Sequence, residues 1–581
     1  MSSLVLDSTF MFERRGPGFA RLRLVNAGHE PFAGFRLGFT SVIRLTPTSG
    51  CAAALVEQAG SYHELAAPDD FVLSPGQVWD LGLLRCDMHM VHANDGPARG
   101  FVVRSDGSTV PVHVAVTEQG GHLRVGDQAP PRVVLAVADD VAGAAWATAA
   151  ACERRLHPDD DLVLTSEGAG ADVNAGIDEW LGPDAFQLAG DAATGFTASA
   201  GSRRSLQWAF MELARRQRGD GALPGSSFVP RFGFRGLMVD LSRHFVPAVD
   251  VAEIIDVAAW RRLDVVHLHL TDDQAWRVPS ATYPALGAIG AWRGYGRPIP
   301  PLHGSGADPY GGCYTMDDIS GWVARAAELG IELIPEIDVP GHSFATLAAL
   351  PELRDPDDAG TALSVHSFHR NVLNPGIPGT LPFLEAVFGE LADLFPGSRL
   401  HIGGDEVPDD SWAGSPAAQR WAAERGLDGH AAIERAFVAE IVRVVRAAAG
   451  RPIGAWQEAA DLGGLQPDDG YVVGWRDAAS AQRLADAGYD VVIAPAEAYY
   501  LDMASGPGWQ EPGHWWAGTV TSEVISSFDP TAGWSAAASD RVIGIEACLW
   551  GEFVPDRHTM HTLLFPRLDA FADAGWTPVR A

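Results

Sequence analysis

The chain has 581 residues and a formal net charge of −32, and all 42 of its basic residues are arginine. An acidic chain without a basic cluster is a poor partner for nucleic acid or for an anionic membrane surface. The absence of lysine also excludes lysine chemistry. With 47% hydrophobic residues and 18 tryptophans the chain is globular, and it needs several domains because single cores rarely exceed about 300 residues.

The five cysteines are scattered and form no CxxC pair, which argues against a disulfide framework or a thiolate zinc site. The first residues lack the basic start and apolar stretch of an export signal, and no segment is long enough to span a bilayer. We therefore expect a soluble, cytoplasmic protein.

The pattern of short elements divides the chain into three regions. Residues 1–128 alternate apolar and polar positions between turn residues, which predicts a β-sandwich of unknown role. Residues 129–229 follow a linker that runs from Gly126 to Pro131. They combine strand-like runs with an amphipathic helix around Leu206 and Leu213, which predicts a small α/β domain. Residues 230–581 alternate strands and helices throughout.

The third region carries eight strand-like segments. They lie at residues 236–240, 265–270, 331–335, 399–402, 453–456, 471–475, 491–494 and 542–547. Eight βα units predict a catalytic (β/α)8 barrel, whose active site lies at the carboxyl ends of its strands. Capping boxes predict two helix starts, at Asp250 with Glu253 and at Thr315 with Asp318, and the second helix is expected to end at Gly330.

Two adjacent carboxylates, Asp405 and Glu406, follow a short apolar strand and two glycines that allow close approach to a ligand. The ordinary structural interpretation is that Asp405 caps a helix and that Glu406 is favoured by the helix dipole. The other strand ends favour a catalytic interpretation, because a closed barrel brings all of their side chains to one mouth. These are Asp240, Arg243, His244, Asp272, Asp273, Trp276, Glu336, Asp338, His342, Trp456, Trp475, Tyr500, Asp502, Trp550 and Glu552.

Six motifs of the third region are RGLMVDLSRHF at 235–245, HLHLTDDQ at 267–274, PEIDVPGH at 335–342, GGDE at 403–406, YLD at 500–502 and LWGE at 549–552. Together they resemble the family 20 glycoside hydrolases, the β-N-acetylhexosaminidases. The resemblance implies an exo-acting, retaining enzyme that removes terminal β-linked GlcNAc or GalNAc from an oligosaccharide, with no metal and no other cofactor. In the implied mechanism the sugar's own 2-acetamido oxygen attacks C1 and forms an oxazolinium ion.

The same resemblance assigns the catalytic roles. Glu406 is expected to protonate the leaving oxygen and then to activate water, which requires a pKa raised by burial or by the charge of Asp405. Asp405 is expected to accept the acetamido N–H, and Tyr500 to donate to the attacking carbonyl oxygen. A polar relay behind Glu406 is expected from His342, Asp272 and Asp338. For His342 alone, a buried histidine with satisfied nitrogens is an equally good interpretation.

The implied substrate contacts lie around the same mouth. Arg235 is expected to bind O3 and O4 of the terminal sugar, and Asp502 with Glu552 to bind O4 and O6. These contacts would close the non-reducing end and make the enzyme exo-acting. The pocket of the acetamido group is expected to be walled by Trp456, Trp475 and Trp550.

Three alternatives stay open at this point. A metal-dependent amidohydrolase could use His267 and His269, but such barrels usually need a carboxylated lysine, which the chain lacks. A non-catalytic carbohydrate-binding protein could use the tryptophans and Arg235, but binding alone would not require both Asp405 and Glu406. A lacto-N-biosidase-like enzyme would release a disaccharide. The sequence does not indicate an oligomeric state.

Overall fold

The computed structural model describes residues 4–11, 18–88, 90–115, 133–137, 140–165, 171–219 and 226–576. The linker predicted from Gly126 to Pro131, and with it the predicted boundary after residue 128, lies outside the described residues. Three groups of sheets follow one another along the chain. None of the helices in these ranges is both long enough and apolar enough to cross a bilayer.

The first group consists of two packed five-stranded sheets and one two-stranded ribbon, which the third and eighth strands form. Its strands are β1 (Leu4–Met11), β2 (Phe19–Asn26), β3 (Phe32–Ala33), β4 (Arg36–Thr40), β5 (Leu45–Pro47), β6 (Ala54–Ala59), β7 (Tyr62–Ala66), β8 (Val72–Leu73), β9 (Val78–Cys86), β10 (Ala98–Val103), β11 (Thr109–Pro111) and β12 (His113–Ala115). The sheet orders are β12-β1-β2-β9-β5 and β11-β10-β4-β7-β6. Along β2 the fully buried Leu22 and Leu24 alternate with the exposed Arg21 and Arg23, so the alternating pattern builds the core of a sandwich.

The second group is a six-stranded mixed sheet that packs against a pair of helices. Its elements are β13 (Val133–Val137), α1 (Asp140–Leu156), β14 (Leu164–Thr165), β15 (Ala171–Ile177), β16 (Phe186–Asp191), β17 (Gly195–Ala200), α2 (Arg203–Arg218) and β18 (Ser226–Phe228). The strand order is β14-β13-β15-β17-β16-β18. Leu206 and Leu213 are fully buried on α2, because the apolar stripe of this helix faces the core.

The third group is a ring of parallel strands with helices between them. Its strands are β19 (Phe234–Asp240), β20 (Val265–His269), β21 (Thr271–Asp272), β22 (Ala275–Trp276), β23 (Trp292–Arg293), β24 (Tyr310–Gly311), β25 (Glu332–Glu336), β26 (Ile453–Trp456), β27 (Gly470–Gly474), β28 (Asp490–Ile493) and β29 (Val542–Leu549). Seven of them pair in the order β25-β20-β19-β29-β28-β27-β26, while β21 to β24 form two small ribbons. The helices are α3 (Ala248–Trp260), α4 (Met316–Leu329), α5 (Phe344–Ala349), α6 (Thr380–Leu394), α7 (Pro416–Glu424), α8 (His430–Ala449), α9 (Gln457–Asp461), α10 (Ala478–Asp486), α11 (Ala496–Tyr499), α12 (Ser522–Ser527), α13 (Ala536–Ser539), α14 (Arg557–Leu564) and α15 (Arg567–Ala574).

The eighth strand of the barrel is reduced to one residue. His401 forms a parallel bridge to Glu336 at the end of β25 and another to Gly454 in β26, which closes the ring. Gly403 and Gly404 come next with φ angles of 66° and 93°, so extended pairing stops there. The predicted fold class, a (β/α)8 barrel preceded by a small α/β unit and a β-sandwich, is confirmed, although the strand predicted at 399–402 is shorter than expected.

One of the two predicted helix caps is present. The Thr315 side chain accepts from the backbone N–H of Asp318 at 3.1 Å, and α4 ends at Gly330 with φ 72°. By contrast, α3 begins at Ala248, so Asp250 lies inside its first turn and the capping box predicted there is wrong.

The β-sandwich lies over the mouth of the barrel. The backbone N–H of His303 donates to Ser61 Oγ at 2.8 Å, and that of Ala93 donates to the carbonyl of Trp509 at 2.8 Å. Both barrel residues lie in segments that come after carboxyl ends of strands, where (β/α)8 barrels place their active sites. Apolar contacts between the two domains come from Tyr62, Phe101, Val103, Ile299, Leu302, Ala345 and Phe368.

Candidate active site

The adjacent acids Asp405 and Glu406 lie in an irregular segment directly after the residue that closes the barrel. The next helix, α7, begins only at Pro416 and is capped by Ser415, so the helix-cap interpretation of Asp405 is wrong. Glu406 has φ 48°, and His342 on the neighbouring loop has φ 46°. Positive φ is uncommon for residues with a side chain, and such strain is concentrated at functional sites.

The two glycines before the acids allow the chain to pass very close to Asp338. A Cβ atom on Gly403 would lie 1.9 Å from Asp338 Oδ1, and the N–H of Gly404 donates to that same oxygen at 3.0 Å. Burial and the neighbouring Asp405 charge hold the pKa of Asp338 well above its ordinary value. Asp338 therefore braces the turn that presents the acidic pair, and it does so from behind the cavity.

A buried chain of polar groups runs behind Glu406. His342 Nε2 lies 3.5 Å from Glu406 Oε2, while its Nδ1 lies 3.2 Å from Asp272 Oδ1. The other oxygen of Asp272 lies 2.7 Å from Arg243 Nη2 and 2.9 Å from His269 Nε2. Burial lowers the pKa of His342, but the Asp272 carboxylate outweighs burial and raises it well above the ordinary value. His342 is therefore a cation beside Glu406.

The surrounding charges shift the pKa values of the two acids in opposite directions. Burial, with the charge of Glu406, raises the pKa of Asp405 to about 6. Burial also raises the pKa of Glu406, but the hydrogen bond and charge of His342, together with His366 and Arg243, outweigh it and hold that pKa below its ordinary value. The prediction of a raised pKa for Glu406 is thus wrong in this structure, because nearby cations are stronger than burial.

The acids open into a cavity of about 570 Å³. An aromatic wall faces them: the ring centroids of Trp456 and Trp550 are 5.6 Å apart, and Tyr500 lies 6.2 Å from both Trp550 and Trp475. A wall of this kind suits the apolar faces of a sugar ring or an acetamido methyl group. The predicted residues that line the cavity are Arg243, Asp405, Glu406, Trp456, Trp475, Tyr500, Asp502, Trp550 and Glu552.

A polar group of side chains lies at the Asp502 end of the cavity. Glu552 lies 3.7 Å from His514 Nε2 and 3.6 Å from His366 Nε2. Burial raises the pKa of Asp502 to about 7, with the charge of Glu552 acting in the same direction. Burial also acts to raise the pKa of Glu552. The charges of Arg243 and His514 outweigh burial and hold the pKa of Glu552 well below its ordinary value. A protonated and an ionised carboxyl together can donate to one sugar hydroxyl and accept from another.

A sequence model of the glycosyl hydrolase family 20 catalytic domain matches residues 232–579. The chain belongs to this family. It is 38% identical over 351 residues to the β-hexosaminidase of Vibrio furnissii, an alignment that covers 60% of this chain and 57% of the relative. It is 35% identical over 358 residues to the β-N-acetylhexosaminidase of Cellulomonas fimi, covering 60% of this chain and 64% of that one. The chain thus spans less than two thirds of either relative.

The solved structures extend the likeness beyond the catalytic domain. The GH20 exo β-N-acetylglucosaminidase of Vibrio harveyi, solved in complex with N-acetylglucosamine, superposes with a TM-score of 0.87 at 28% identity. That comparison covers 100% of this chain and 95% of the other. The GH20 β-N-acetylhexosaminidase of Streptomyces coelicolor A3(2) gives a TM-score of 0.59 at 27% identity, over 78% of this chain and 90% of that one.

The family motif around β19 contains two arginines, and only the second faces the cavity. Arg235 lies near the start of the strand, at the opposite end of the barrel, and is fully buried. Its guanidinium lies 2.7 Å from Asp264, donates to the Phe232 carbonyl at 2.6 Å and packs between Trp208 and Trp576. The prediction that Arg235 binds the terminal sugar is therefore wrong, and its role is to hold the base of the barrel together.

Arg243 occupies the place that was predicted for Arg235. It lies just after the carboxyl end of β19, lines the cavity, and holds its guanidinium 4.9 Å from the ring centre of Trp550. Strand direction is the signal that could have separated the two arginines, because functional residues of a barrel lie at the carboxyl ends of its strands. Sequence reasoning placed Arg243 at the mouth but gave it no role.

The sequence analysis did not predict several other residues that line the cavity. They come from long loops and from the sandwich, where no strand pattern marks a position at the mouth. No sequence pattern marks His366 or His514. Only the structure shows that their imidazoles lie beside Glu552. Those missed in the barrel are His303, Val365, His366, Ser367, His514, Trp515 and Trp516.

The His267-x-His269 pair that suggested an amidohydrolase lies beneath the cavity. His267 Nε2 and His269 Nδ1 each lie 2.9 Å from Glu336 Oε2, while the other Glu336 oxygen accepts from Trp456 Nε1 at 2.9 Å. His267, Glu336 and His401 have ligand atoms close enough to share a metal ion, but all three are buried. The two histidines therefore support the aromatic wall through Glu336, and neither of them lines the cavity.

Proposed function

We propose that the chain is an exo-acting, retaining β-N-acetylhexosaminidase that removes terminal β-linked GlcNAc or GalNAc from oligosaccharides and glycans. The observation that carries this proposal is that Asp405 and Glu406 open side by side into a cavity walled by Trp456, Trp475 and Trp550. Neighbouring acids of unequal pKa can serve two different atoms of one substrate. The names of the relatives, β-hexosaminidase and β-N-acetylhexosaminidase, support the same activity.

The first step turns the substrate's amide into the nucleophile. The carboxylate of Asp405 accepts the acetamido N–H, and a hydrogen bond to the charged form lowers the pKa of this acid. Burial holds the pKa of the Tyr500 phenol well above its ordinary value, so the hydroxyl stays a donor for the carbonyl oxygen. The aromatic wall excludes water that would otherwise compete for the amide.

The same binding event favours the protonated form of Glu406. Once Asp405 is ionised, its negative charge raises the pKa of Glu406, and the sugar removes the remaining water around that carboxyl. Glu406 then donates its proton to the glycosidic oxygen as the bond to C1 breaks. The acetamido oxygen forms the new bond to C1, which gives an oxazolinium ion and leaves no covalent bond to the enzyme.

In the second step the Glu406 carboxylate takes a proton from water, and the water oxygen attacks C1 from the side that the leaving group has vacated. The oxazolinium bond opens, so the product keeps its β configuration. The His342 cation stabilises the Glu406 carboxylate between the two steps, and Asp272 holds that imidazole in place.

The polar end of the cavity fits the non-reducing end of the terminal sugar. Arg243 is a donor, Glu552 an acceptor and Asp502 a donor when protonated, which matches the mixed hydroxyls O3, O4 and O6. His303 and the sandwich residue Ser61 line the same side and restrict the space there. This arrangement supports removal of one terminal sugar at a time.

A second candidate is release of a disaccharide, as by a lacto-N-biosidase. The observation in its favour is that the cavity of about 570 Å³ reaches as far as the sandwich. Sizing the products of chitooligosaccharide hydrolysis separates the two, since monosaccharide steps support the first proposal and a disaccharide product supports the second.

The decisive experiment compares initial rates on the aryl β-N-acetylglucosaminide, the aryl β-N-acetylgalactosaminide and the aryl β-glucoside. The first two should turn over and the glucoside should be nearly inert, because it carries no amide. Proton NMR of the fresh product should show the β anomer first. Comparable rates on the glucoside, or an α product, would overturn the proposed mechanism.

A further inference from the structure

Two tryptophans of the aromatic wall are held by hydrogen bonds from their indole N–H groups to buried acids. Trp456 Nε1 donates to Glu336 Oε1 at 2.9 Å, and Trp475 Nε1 donates to Glu458 Oε2 at 3.0 Å. Glu336 is fully buried and lies among the histidines beneath the cavity, so Trp456 is fixed within the barrel. Glu458 has no part in the catalytic steps described above, and its contact with Trp475 therefore needs its own explanation.

Glu458 is a buried residue, 8% exposed, whose carboxyl has two partners. Its Oε1 accepts from Arg476 Nη2 at 2.9 Å, while its Oε2 accepts from the indole. The Arg476 guanidinium also lies 5.6 Å from the ring centre of Trp475, so both side chains contact the indole. Burial, with the charge of Asp405, raises the pKa of Glu458 to about 7. Since either form of a carboxyl accepts an N–H, the bond to Trp475 does not depend on ionisation.

The backbone around Trp475 is held by the short helix α9. Gln457, its first residue, accepts through Oε1 from the N–H of Trp475 at 3.1 Å and from that of Arg476 at 3.2 Å. A Cβ atom on Gly404 would lie 3.2 Å from Ala459 Cβ, so α9 also packs against the turn that presents the acidic pair. One helix therefore contacts both the acids' turn and the Trp475 segment of the wall.

Trp475 lies beside the position of the substrate's acyl group in the proposed mechanism. Asp405 accepts the amide N–H and Tyr500 donates to the amide oxygen, so the acyl methyl group points to the rings beside Tyr500. The Trp475 ring lies 6.2 Å from that of Tyr500, with 16° between their planes. It also meets Trp516, which is 52% exposed, edge to face at 6.3 Å. Without its bond to Glu458, the Trp475 ring could turn toward this open side.

We propose that Glu458 is a positioning residue that, by holding the Trp475 ring, sets the size of the N-acyl group that the enzyme accepts. This inference rests on the proposed function. A hydrophobic pocket rejects one extra methylene by about tenfold or more when its wall does not yield. With Trp475 held in place, an N-acetyl group fits the pocket, whereas the extra methylene of an N-propanoyl group meets the ring.

The test compares kcat/KM on two aryl β-glucosaminides, one with an N-acetyl and one with an N-propanoyl group. The readout is the ratio of the propanoyl value to the acetyl value. Glu458→Ala removes the acceptor of the indole N–H, so this ratio should rise about tenfold. Glu458→Gln keeps an oxygen that accepts the N–H, and the half-exposed Arg476 can turn to water, so its ratio should stay within about twofold of the parent protein.

Trp475→Phe probes the same contact from its other side. The phenyl ring has no N–H and is smaller, so this change should also raise the ratio. Adding Glu458→Ala to Trp475→Phe should then change the ratio by no more than about twofold, because the contact is already absent. Effects that multiply in the double variant would show that Glu458 does not act through Trp475, and they would overturn the inference.

Glu434→Ala is the matched control. Glu434 is a buried acid of α8, 5% exposed, whose pKa burial also raises to about 7, but it does not line the cavity. The ratio of this variant should equal that of the parent protein. Thermal unfolding of every variant identifies any that fold poorly. If Glu458→Ala is one of these, Glu458→Leu fills the space without accepting an N–H and should give the same rise.

The alternative is that Glu458 acts through its charge on Asp405. In that case the alanine and glutamine variants would change the rates on both substrates equally, and the ratio would stay the same. That result, or unchanged rates on both substrates, overturns the inference and leaves the catalytic proposal standing. A parent protein that turns over no N-acetylhexosaminide would instead contradict the proposed function itself.

Discussion

His342 Nε2 lies 3.5 Å from the carboxylate of Glu406, and the imidazole is held as a cation by the Asp272 carboxylate on its other side. This contact is one cause of the difference in pKa between the two adjacent acids. His342 lowers the pKa of Glu406 through a hydrogen bond and through charge, and it also opposes the burial that raises the pKa of Asp405. The pH dependence of catalysis should therefore respond to His342.

Replacing His342 with glutamine should move the pH–rate profile to higher pH. Without the cation, the pKa of Asp405 and that of Glu406 both rise, so the acid limb and the alkaline limb shift upward together. The measurement is kcat across pH with an aryl N-acetylglucosaminide. His430, a half-buried histidine beside Glu434 and outside the cavity, provides the control His430→Gln. Unchanged midpoints in His342→Gln would show that the relay does not tune the acids.

Glu406→Gln should affect substrates according to their leaving group. General acid catalysis contributes about 10²–10⁴-fold, so hydrolysis of chitooligosaccharides should fall by that range, while activated phenyl substrates should lose much less in the first step. Glu434→Gln removes a buried acid outside the cavity and should change neither rate. Equal losses on both kinds of substrate would contradict the assignment of Glu406 as the acid.

Asp405→Asn should lower kcat on oligosaccharide and activated substrates alike, because it acts on the amide before any leaving group departs. The substituted amide cannot balance the positive charge of the oxazolinium ion, so the loss should be about 10²-fold or more. Sodium azide should restore little activity, since Asp405 forms no bond to the sugar. Strong rescue with an azide adduct would point to Asp405 as a direct nucleophile.

The two arginines of the β19 motif should respond oppositely to the same change. Lysine keeps the charge but loses the guanidinium fork. Arg243→Lys should lower kcat/KM by about tenfold or more through lost contacts to hydroxyls, with a small change in Tm. Arg235→Lys should leave kcat/KM unchanged but lower the free energy of unfolding by about 1–3 kcal/mol, since buried acceptors lose their donor. Kinetics and thermal unfolding of both variants check this, and the reverse pattern would restore Arg235 to the site.

Asp502→Asn should stabilise the fold at alkaline pH. Folding raises the pKa of Asp502 from 3.8 to about 7. As the pH rises, the unfolded chain therefore loses the Asp502 proton before the folded chain does. The free energy of unfolding falls as a result between about pH 4 and about pH 7. The full effect is at most on the order of 4 kcal/mol. Asparagine does not ionise, so the variant escapes this loss of stability. Its Tm should therefore be higher than that of the parent protein at pH 8 and nearly equal to it near pH 4. The exposed Asp468→Asn serves as control, and a Tm gain of equal size at both pH values would contradict the linkage.

Local patterns predicted much of the barrel. The Thr315 cap, the Gly330 end of α4 and the strands that lead to Glu336 and Trp456 all result from periodicity and from residues a few positions apart. The prediction at Asp250 failed because a helix start depends on where the preceding loop enters, which the capping pattern does not contain.

Some features of the active site were likewise predictable from the sequence, and others were not. The sequence by itself determined which strands carry acids and tryptophans and that Asp405 and Glu406 stand together, because side chains at strand ends converge once a barrel closes. Only the tertiary structure decided that Arg243 rather than Arg235 meets the cavity, that cations hold the pKa of Glu406 down, and that the sandwich supplies a wall. Each of these depends on distances between residues far apart in the chain, and electrostatic energies and cavity walls are set by such distances rather than by neighbours in sequence.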